Sequence, residues 1–241
     1  MTLLAVERMK LFSTRSPWWC MFLALALPIG FTALIAAVSD GMSLSTTQFG
    51  YQFGLMVTLV LAALAITTEY RFGTIRATFQ AVPNRTAVLL AKTAVVAVLA
   101  LIIGEIGAFG SWAISTVLQP SSDLAITTAE QWREIAGVGP VFAFSAILAV
   151  GVGMLVRQTA GAVTILLLWS LMVESLIALV PEVGQDIQRW MPFVMADHFL
   201  KGGVNTAVDM PLGPWGALAY FAAVTVGVWL IGLAVTHRRD A

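Results

Sequence analysis

Long stretches without a charged residue constrain the fold of this chain most. Four windows contain no Asp, Glu, Lys or Arg: 16–39, 41–68, 135–156 and 210–236. Two further windows contain one acid each, 94–117 and 159–180. Each window exceeds the roughly 18–20 apolar residues that cross a bilayer as a helix. Only 11% of the residues are charged, whereas soluble domains carry about 25%. The sequence therefore predicts an all-α polytopic membrane protein with six transmembrane helices, and residues 1–241 form one transmembrane domain.

The distribution of basic residues predicts the orientation. Six spans place both termini on one side, together with the second and fourth connections. That side then holds most of the basic residues: Arg8, Lys10, Arg15, Arg71, Arg76, Arg85, Lys92, Arg157, Arg238 and Arg239. The other side is acidic: Asp40, Asp123, Glu130, Glu134, Glu182, Asp186, Asp197 and Asp209. Because cytoplasmic loops carry an excess of Lys and Arg, we expect both termini in the cytoplasm of the cell and the chain in its inner (plasma) membrane.

Residues 69–85, between spans two and three, are the largest connection on the basic side. On a helical wheel its apolar side chains lie within an arc of roughly 80°: Phe72, Ile75, Phe79 and Val82. Arg71 and Arg76 flank this stripe, and Pro83 ends the helix. The pattern predicts an amphipathic helix along the inner interface. Two interpretations remain open, a plain membrane anchor and a helix whose polar face docks onto a cytosolic partner.

Residues 181–213, before span six, form the longest loop on the opposite side. Acidic residues alternate there with many large apolar ones, which is too apolar a composition for a free linker. We expect one or two short helices at the outer interface, divided by Pro192.

Small residues inside the spans indicate close helix packing. Gly50 and Gly54 open span two, and span three contains Gly104, Gly107 and Gly110. Small side chains allow helices to approach closely in lipid. Tight packing is one interpretation of these glycines, and a moving hinge is the other.

The residues of a catalytic site do not come together in this sequence. No phosphate-binding loop of the Gly-x-x-x-x-Gly-Lys-Ser/Thr type occurs. The two histidines, His198 and His237, fall on opposite sides of the membrane, so they cannot share a metal or a catalytic triad. We expect no enzyme activity, no metal and no cofactor in this chain, and no nucleic-acid partner.

Glu105 and Glu174 are the ionisable residues within the spans. A carboxylate at membrane depth usually faces the bundle interior or a water-filled cavity. Each therefore contacts either a polar substrate or a neighbouring helix. We treat both as candidate residues of a substrate pathway.

Two motifs are similar to a known family. EYRFGTIR at 69–76, followed by PNR at 83–85, resembles the loop after the second span in ABC-2-type transporter permeases, especially the small actinobacterial ones. ERMKLFSTRSPWW at 7–19 is similar to the arm that precedes span one in the same group. Six spans and a long outer loop before span six also agree, so the resemblance covers essentially the whole chain.

The resemblance implies an exporter permease that pairs with itself or with a sister permease. Each half would engage a separate ABC ATPase subunit, which binds the ATP and Mg, through a coupling helix. The implied coupling residues are Glu69, Tyr70, Arg71, Gly73, Thr74, Ile75 and Arg76. Residues 1–16 would be a cytoplasmic connecting arm. The substrate would be hydrophobic or amphipathic, such as a drug, antibiotic, lipid or glycolipid. The alternative is a membrane scaffold or sensor subunit that regulates a cytosolic ATPase without transport.

Overall fold

The computed structural model describes residues 2–202 and 210–239, and the described residues are helical without any strand. The first half contains α1 (Leu3–Phe12), α2 (Arg15–Val38), α3 (Leu44–Thr47), α4 (Tyr51–Arg71), α5 (Thr74–Ala81) and α6 (Arg85–Leu118). The second half contains α7 (Ala129–Ala136), α8 (Val138–Val156), α9 (Thr159–Leu168), a π-helical turn (Trp169–Val173), α10 (Glu174–Ile177), α11 (Gly184–Gln188), α12 (Pro192–Lys201) and α13 (Pro214–Arg239).

Six helical stretches of the described residues are long and apolar enough to cross a membrane, as the sequence predicts. Three of these spans are single helices, namely α2, α6 and α13. The other three combine shorter helices, since α3 continues into α4, α7 into α8, and α9 through the π-helical turn into α10. The chain is therefore a multi-pass helical protein.

Helix α8 lies at the centre of the bundle and packs against α4, α6 and α13. Helix α2 closes the other side by packing against α4 and α6. Helix α1 and the C-terminal part of α13 lie at the same end of the bundle. Lys10 in α1 hydrogen-bonds Glu69 near the end of α4, and the neighbouring Tyr70 hydrogen-bonds Thr236 in α13. Thr86 in α6 also hydrogen-bonds His237 in α13. We call this the termini end.

The glycines at the start of span two permit close contact with α2. A Cβ atom on Gly54 would lie 2.7 Å from the carbonyl oxygen of Ala24, and one on Gly50 would lie 2.8 Å from that of Pro28. Gly104 in α6 approaches α8 equally closely, with 2.9 Å between its Cβ position and the Cα atom of Gly139. These distances support the packing interpretation of the glycines.

The expected helix over residues 69–85 is interrupted. Helix α4 continues through Glu69 to Arg71, and the chain then turns at Gly73, whose φ of +71° is left-handed. Only Thr74–Ala81 forms the amphipathic helix, α5. Phe72 consequently lies outside the apolar stripe to which the helical wheel assigned it, and its side chain is 71% exposed. The wheel was wrong there because it assumed an unbroken helical period.

The expected arm and the long loop also form helices. Helix α1 covers most of residues 1–16 and ends just before α2. The loop 181–213 contains α11 and α12, and Pro192 is the first residue of α12. Helix α12 buries Met195, Phe199 and Leu200 against α13 and α7, so it belongs to the bundle. Residues 203–209 of this loop lie outside the described residues.

Replacing Gly54 by Ala should destabilise the protein, because the added Cβ meets the backbone of α2. Overpacking of this kind costs about 1–3 kcal/mol. Gly30→Ala is the matched control, since a Cβ on this helical glycine meets nothing within 4 Å. We expect a lower thermal midpoint in mild detergent for Gly54→Ala and an unchanged or higher one for Gly30→Ala. Equal midpoints for the two variants would contradict the close packing.

Candidate functional site

The predicted coupling residues lie around one corner of the chain. Glu69, Tyr70 and Arg71 end α4, whereas the last three, from Thr74 to Arg76, begin α5. We call residues 69–81 the corner segment. Its outward surface consists of exposed residues: Arg71, Phe72, Gly73, Thr74, Arg76, Ala77, Gln80 and Ala81. Glu69 and Ile75 are buried, so the predicted set divides into an outer surface and an inner one.

Gly73 makes the corner by its conformation. Its φ is +71°, a left-handed backbone that L-residues other than Asn and Asp rarely adopt. The space around it is open, since a Cβ atom there would meet nothing within 4 Å. Gly73 is therefore required by the left-handed backbone of the turn and not by close contact with neighbouring atoms.

Helix α5 is held to the bundle by its apolar side. Ile75 is only 4% exposed and belongs to the hydrophobic core, and Phe79 packs partly against that core. The guanidinium of Arg85 lies 5.5 Å from the ring centroid of Phe79. The polar side of α5, with Arg76 and Ala77, remains exposed. This division gives the short helix a fixed inner side and an accessible outer side.

Two lysines and two glutamates form a buried ion cluster beneath the corner. Nζ of Lys92 lies 2.9 Å from Oε1 of Glu69 and also contacts Oε2 of Glu7. Nζ of Lys10 lies 2.9 Å from Oε1 of Glu7 and 3.3 Å from Oε1 of Glu69. Glu7 and Lys92 are each only 4% exposed. The cluster thereby joins α1, α4 and α6 through charge-assisted hydrogen bonds.

Lys10 extends the ion cluster to α5. Its ammonium group donates a third hydrogen bond to Oγ1 of Thr78, at 3.1 Å. Thr78 lies one turn after Thr74 on α5. One lysine of the N-terminal helix therefore contacts both the end of span two and the amphipathic helix that follows it. The four segments at this end of the bundle are held together at one place.

The charges in the cluster stabilise one another. Burial raises the pKa of the Glu7 carboxyl, but Lys92 and Lys10 outweigh it, so this pKa falls below 4.5. Burial lowers the pKa of Lys10, but Glu7 and Glu69 outweigh it and raise the pKa above 10.5. The contribution of Glu7 to the free energy of unfolding is lost as pH falls through its lowered pKa. The contribution of Lys10 is lost as pH rises through its raised pKa. Both contributions are present at neutral pH.

A cleft of about 330 Å³ lies beside the ion cluster. Its walls combine the cluster residues with apolar side chains of α4 and α6, including Leu61 and Val96. Hydroxyl groups of Ser13 and Ser16 line it where α1 meets α2. Oε2 of Glu69 is buried and has no hydrogen-bond partner in the described chain. The cleft borders the cluster on one side.

Tyr70 faces the interior at the termini end. Its hydroxyl lies 3.3 Å from Oγ1 of Thr236 in α13, and the guanidinium of Arg157 lies 4.9 Å from its ring centroid. Tyr70 therefore connects the end of span two with span six and with the connection after α8. It contributes to the position of the corner segment from within.

Glu174 lies far from the corner and caps a helix. Its carboxylate accepts hydrogen bonds from the backbone N–H groups of Phe193 and Val194, at 3.1 and 2.9 Å, at the start of α12. It also accepts one from Nε1 of Trp169, at 2.9 Å. The N–H groups of Phe193 and Val194 lie in the first turn of α12, where they have no acceptor within the helix and where a negative charge is favourable. Of the two interpretations, contact with a neighbouring helix is the one observed.

Glu105 has a different environment. Its carboxyl group packs over the Cα atom of Gly139 in α8, and the side chain is half-buried. No hydrogen bond or ion pair of Glu105 occurs within the part of the chain that the structure describes. The structure does not bring Glu105 and Glu174 together with the corner segment. No cluster of three or more His, Cys, Asp or Glu suited to a metal occurs among the described residues.

The ion cluster is the feature that sequence reasoning missed. Glu7 and Lys10 were recognised as part of a motif, and Lys92 only as a basic residue near span three. The available signal was Lys92 itself, which lies about two turns inside the apolar helix α6. A buried cation at that position requires a carboxylate nearby. Its partners are far apart in sequence, so the pattern did not identify them.

Removing one member of the ion cluster should destabilise the protein strongly. We expect Glu7→Gln at pH 7 to cost about 3–5 kcal/mol, because it leaves buried Lys92 undercompensated. The double variant Glu7→Leu with Lys92→Met should recover much of this loss, since it removes both charges. Asp186→Asn, which breaks an exposed ion pair with Arg189, should change the thermal midpoint little. A Glu7→Gln midpoint equal to that of Asp186→Asn would contradict the buried cluster.

Comparison with known proteins places the chain in a family. A model of the ABC-2 family transporter proteins matches residues 3–174, which is 172 of the 241 residues. The match begins in α1, includes the ion cluster and the whole corner segment, and ends at Glu174. No curated protein matches the chain. The chain belongs to the ABC-2 family of transporter membrane proteins.

Proposed function

We propose that this chain is the permease subunit of an ATP-driven exporter and that its corner segment seats a separate ATPase. The six apolar helices and the family support a membrane transport component that is not itself catalytic. Family members normally work with an ABC ATPase. The proposal adds that two permeases, identical or sister subunits, form the pathway, that ATP and Mg are bound by the partner ATPase, and that the termini face the cytoplasm across the inner (plasma) membrane.

The arrangement of the corner segment carries this proposal. Its outer surface presents two arginines, Arg71 and Arg76, and the small residues Gly73 and Ala77, all exposed. Its inner side is fixed by Ile75 and by the ion cluster. A partner that pushes on such a surface displaces a rigid body and not a flexible loop. A plain membrane anchor would not need the charges beneath it.

Movement of α5 passes into the bundle along three contacts. Ile75 is packed in the core, Thr78 is bonded to Lys10, and Gly73 ties α5 directly to α4. Lys10 and Lys92 then connect α4 to α1 and α6 through the glutamates. A displacement imposed by the ATPase therefore moves spans two and three together with the N-terminal helix.

The predicted coupling residues take two roles in this mechanism. Arg71, Gly73, Thr74 and Arg76 form the surface that the ATPase contacts. Glu69, Tyr70 and Ile75 hold that surface in position, because their side chains contact the bundle. The first group is expected to determine binding of the partner, and the second to determine how its motion reaches the spans.

The cargo in this proposal is hydrophobic or amphipathic, in the range of drugs, antibiotics, lipids and glycolipids. Glu105 and Glu174 are candidates for the substrate pathway. Glu105 is the stronger of the two, because its carboxyl has no partner among the described residues, whereas Glu174 already accepts three hydrogen bonds. A scaffold subunit that only regulates an ATPase would show no change of ATP turnover with cargo.

Gly73→Val should prevent recovery of the ATPase with the tagged permease. A β-branched residue is strained in the left-handed conformation by about 1–2 kcal/mol, so the corner shifts. Gly73→Asn is the matched control, because Asn tolerates this conformation. We expect mass spectrometry of the purified complex to detect the ATPase with wild type and Gly73→Asn, and much less with Gly73→Val. Equal recovery in all three would contradict docking at the corner.

Arg76→Glu should weaken ATPase binding by about tenfold or more, as expected at an interface hot spot. Arg238→Glu is the control, since Arg238 is also exposed at the termini end but lies outside the corner segment. The affinity of the purified ATPase for each permease variant in lipid nanodiscs is the measurement. Normal affinity for Arg76→Glu, or an equal loss for Arg238→Glu, would refute a specific role of this surface.

A further inference from the structure

A small cavity lies inside the bundle, where α2, α6, α8 and the start of span two meet. Its volume is about 10 Å³, which is at the lower limit of the roughly 10–15 Å³ that one water molecule needs. Most of its wall consists of glycines and apolar side chains, and its polar residues are Gln48, Tyr51 and Ser111. Among the described residues, no charged side chain lines it. The cavity can therefore hold only a very small ligand.

Gln48 lines this cavity and has a carbonyl oxygen without a partner. The residue is 6% exposed, and its Nε2 donates to the backbone carbonyl of Ala108, at 3.2 Å, and to Oγ1 of Thr47, at 3.1 Å. Because a backbone carbonyl only accepts, the bond to Ala108 determines which end of the amide is nitrogen and which is oxygen. Oε1 is buried and has no hydrogen-bond partner in the described part of the chain. A buried acceptor of this kind requires a donor.

Pro28 leaves a second acceptor beside the same cavity. It lies inside α2 and has no N–H, so the carbonyl of Ala24 lacks the donor that the residue four positions later ordinarily supplies. Ala24 is 1% exposed and lines the cavity together with Pro28. A Cβ atom on Gly54 would lie 2.7 Å from the Ala24 carbonyl oxygen, so this oxygen faces the bundle and not lipid. Spans tolerate proline where neighbouring groups or ordered waters satisfy the freed carbonyl.

The two acceptors and the size of the cavity determine which ligand fits. Because both oxygens accept, the ligand must donate two hydrogen bonds, which a carboxylate or another fully ionised anion cannot do. A metal cation would find no carboxylate in this wall, and an uncompensated charge is costly inside a membrane. Sugars and other organic alcohols donate hydrogen bonds but exceed the volume. Water is small enough, is uncharged and donates twice.

We propose that one water molecule is bound in this cavity and donates hydrogen bonds to Oε1 of Gln48 and to the carbonyl oxygen of Ala24. The hydroxyl group of Ser111, a residue that is 2% exposed and lines the cavity, donates to the water oxygen. Buried waters typically make about three hydrogen bonds, so these partners complete the site. The water takes the part of the N–H that Pro28 lacks. It thereby joins spans one, two and three at the proline of span one.

A crystal structure of the full chain, grown from a lipid phase at a resolution that shows ordered water, tests the site directly. We expect one isolated peak at about 2.7–3.0 Å from both Oε1 of Gln48 and the carbonyl oxygen of Ala24. A peak surrounded by six or more oxygen atoms at about 2.3–2.6 Å would identify a metal cation and overturn the assignment to water. The absence of a peak between the two oxygens would overturn the site itself.

Gly107→Ala tests the water by displacing it. Gly107 lines the cavity, and a Cβ atom there meets only Cγ of Pro28, at the ordinary contact distance of 3.7 Å, so the methyl group fits without a clash. It takes the place of the water and leaves both oxygens without a donor. We expect a thermal midpoint in lipid nanodiscs about 2–10 °C below that of Gly30→Ala, in which the added Cβ meets nothing within 4 Å.

Gln48→Met separates the loss of the water from other effects of the added methyl group. Methionine has a similar length but no carbonyl oxygen, and the carbonyl of Ala108 lies within α6, whose backbone hydrogen bonds satisfy it. In this background we expect Gly107→Ala to lower the midpoint by at most about half as much, since one oxygen no longer needs a donor. An equal loss in both backgrounds, or equal midpoints for Gly107→Ala and Gly30→Ala, would refute the water site. These measurements contain no ATPase, so their outcome is independent of the proposed function.

Discussion

The buried ion cluster is the interaction on which the termini end of this protein depends. Four charges, from Glu7, Lys10, Glu69 and Lys92, lie together where three helices meet, and none can be removed without leaving a charge undercompensated. Burial of ionic groups is costly unless they are paired, so the N-terminal helix is held in place by the same contacts that hold the end of span two. The cluster also contacts the corner segment directly, through Glu69 and Thr78.

Polar side chains have different partners at the two ends of the bundle. At the termini end, the ion cluster pairs cations with carboxylates, and the exposed side chains are on the outside of the corner. At the opposite end, Glu174 accepts backbone N–H groups at the start of α12, and Asp197 pairs with Tyr51 and Lys201, so these carboxylates are engaged within the chain. The close glycine contacts between α2, α4, α6 and α8 connect the two ends as a packed unit.

Hydropathy was sufficient to predict the six spans, because a bilayer-crossing helix needs only length and apolarity. The motif at 69–76 spans the turn between α4 and α5. The position of Phe72 was predicted wrongly, since a helical wheel assumes a continuous helix and Gly73 breaks it. The ion cluster was missed because Lys92 pairs with residues 23 and 85 positions away, and such pairs follow from tertiary packing. The contact of Glu174 with the backbone N–H groups of Phe193 and Val194 likewise follows from tertiary packing.

The central claim is that an ATPase contacts the outer surface of the corner segment. A photo-crosslinking amino acid placed in turn at each position from Phe72 to Gln80, in cells that express the whole complex, tests it most directly. The account predicts adducts with an ATPase from the exposed positions, including Arg76 and Ala77, and none from buried Ile75. Adducts with lipid alone at Arg76 and Ala77 would show that the corner is a membrane anchor, and would contradict the account.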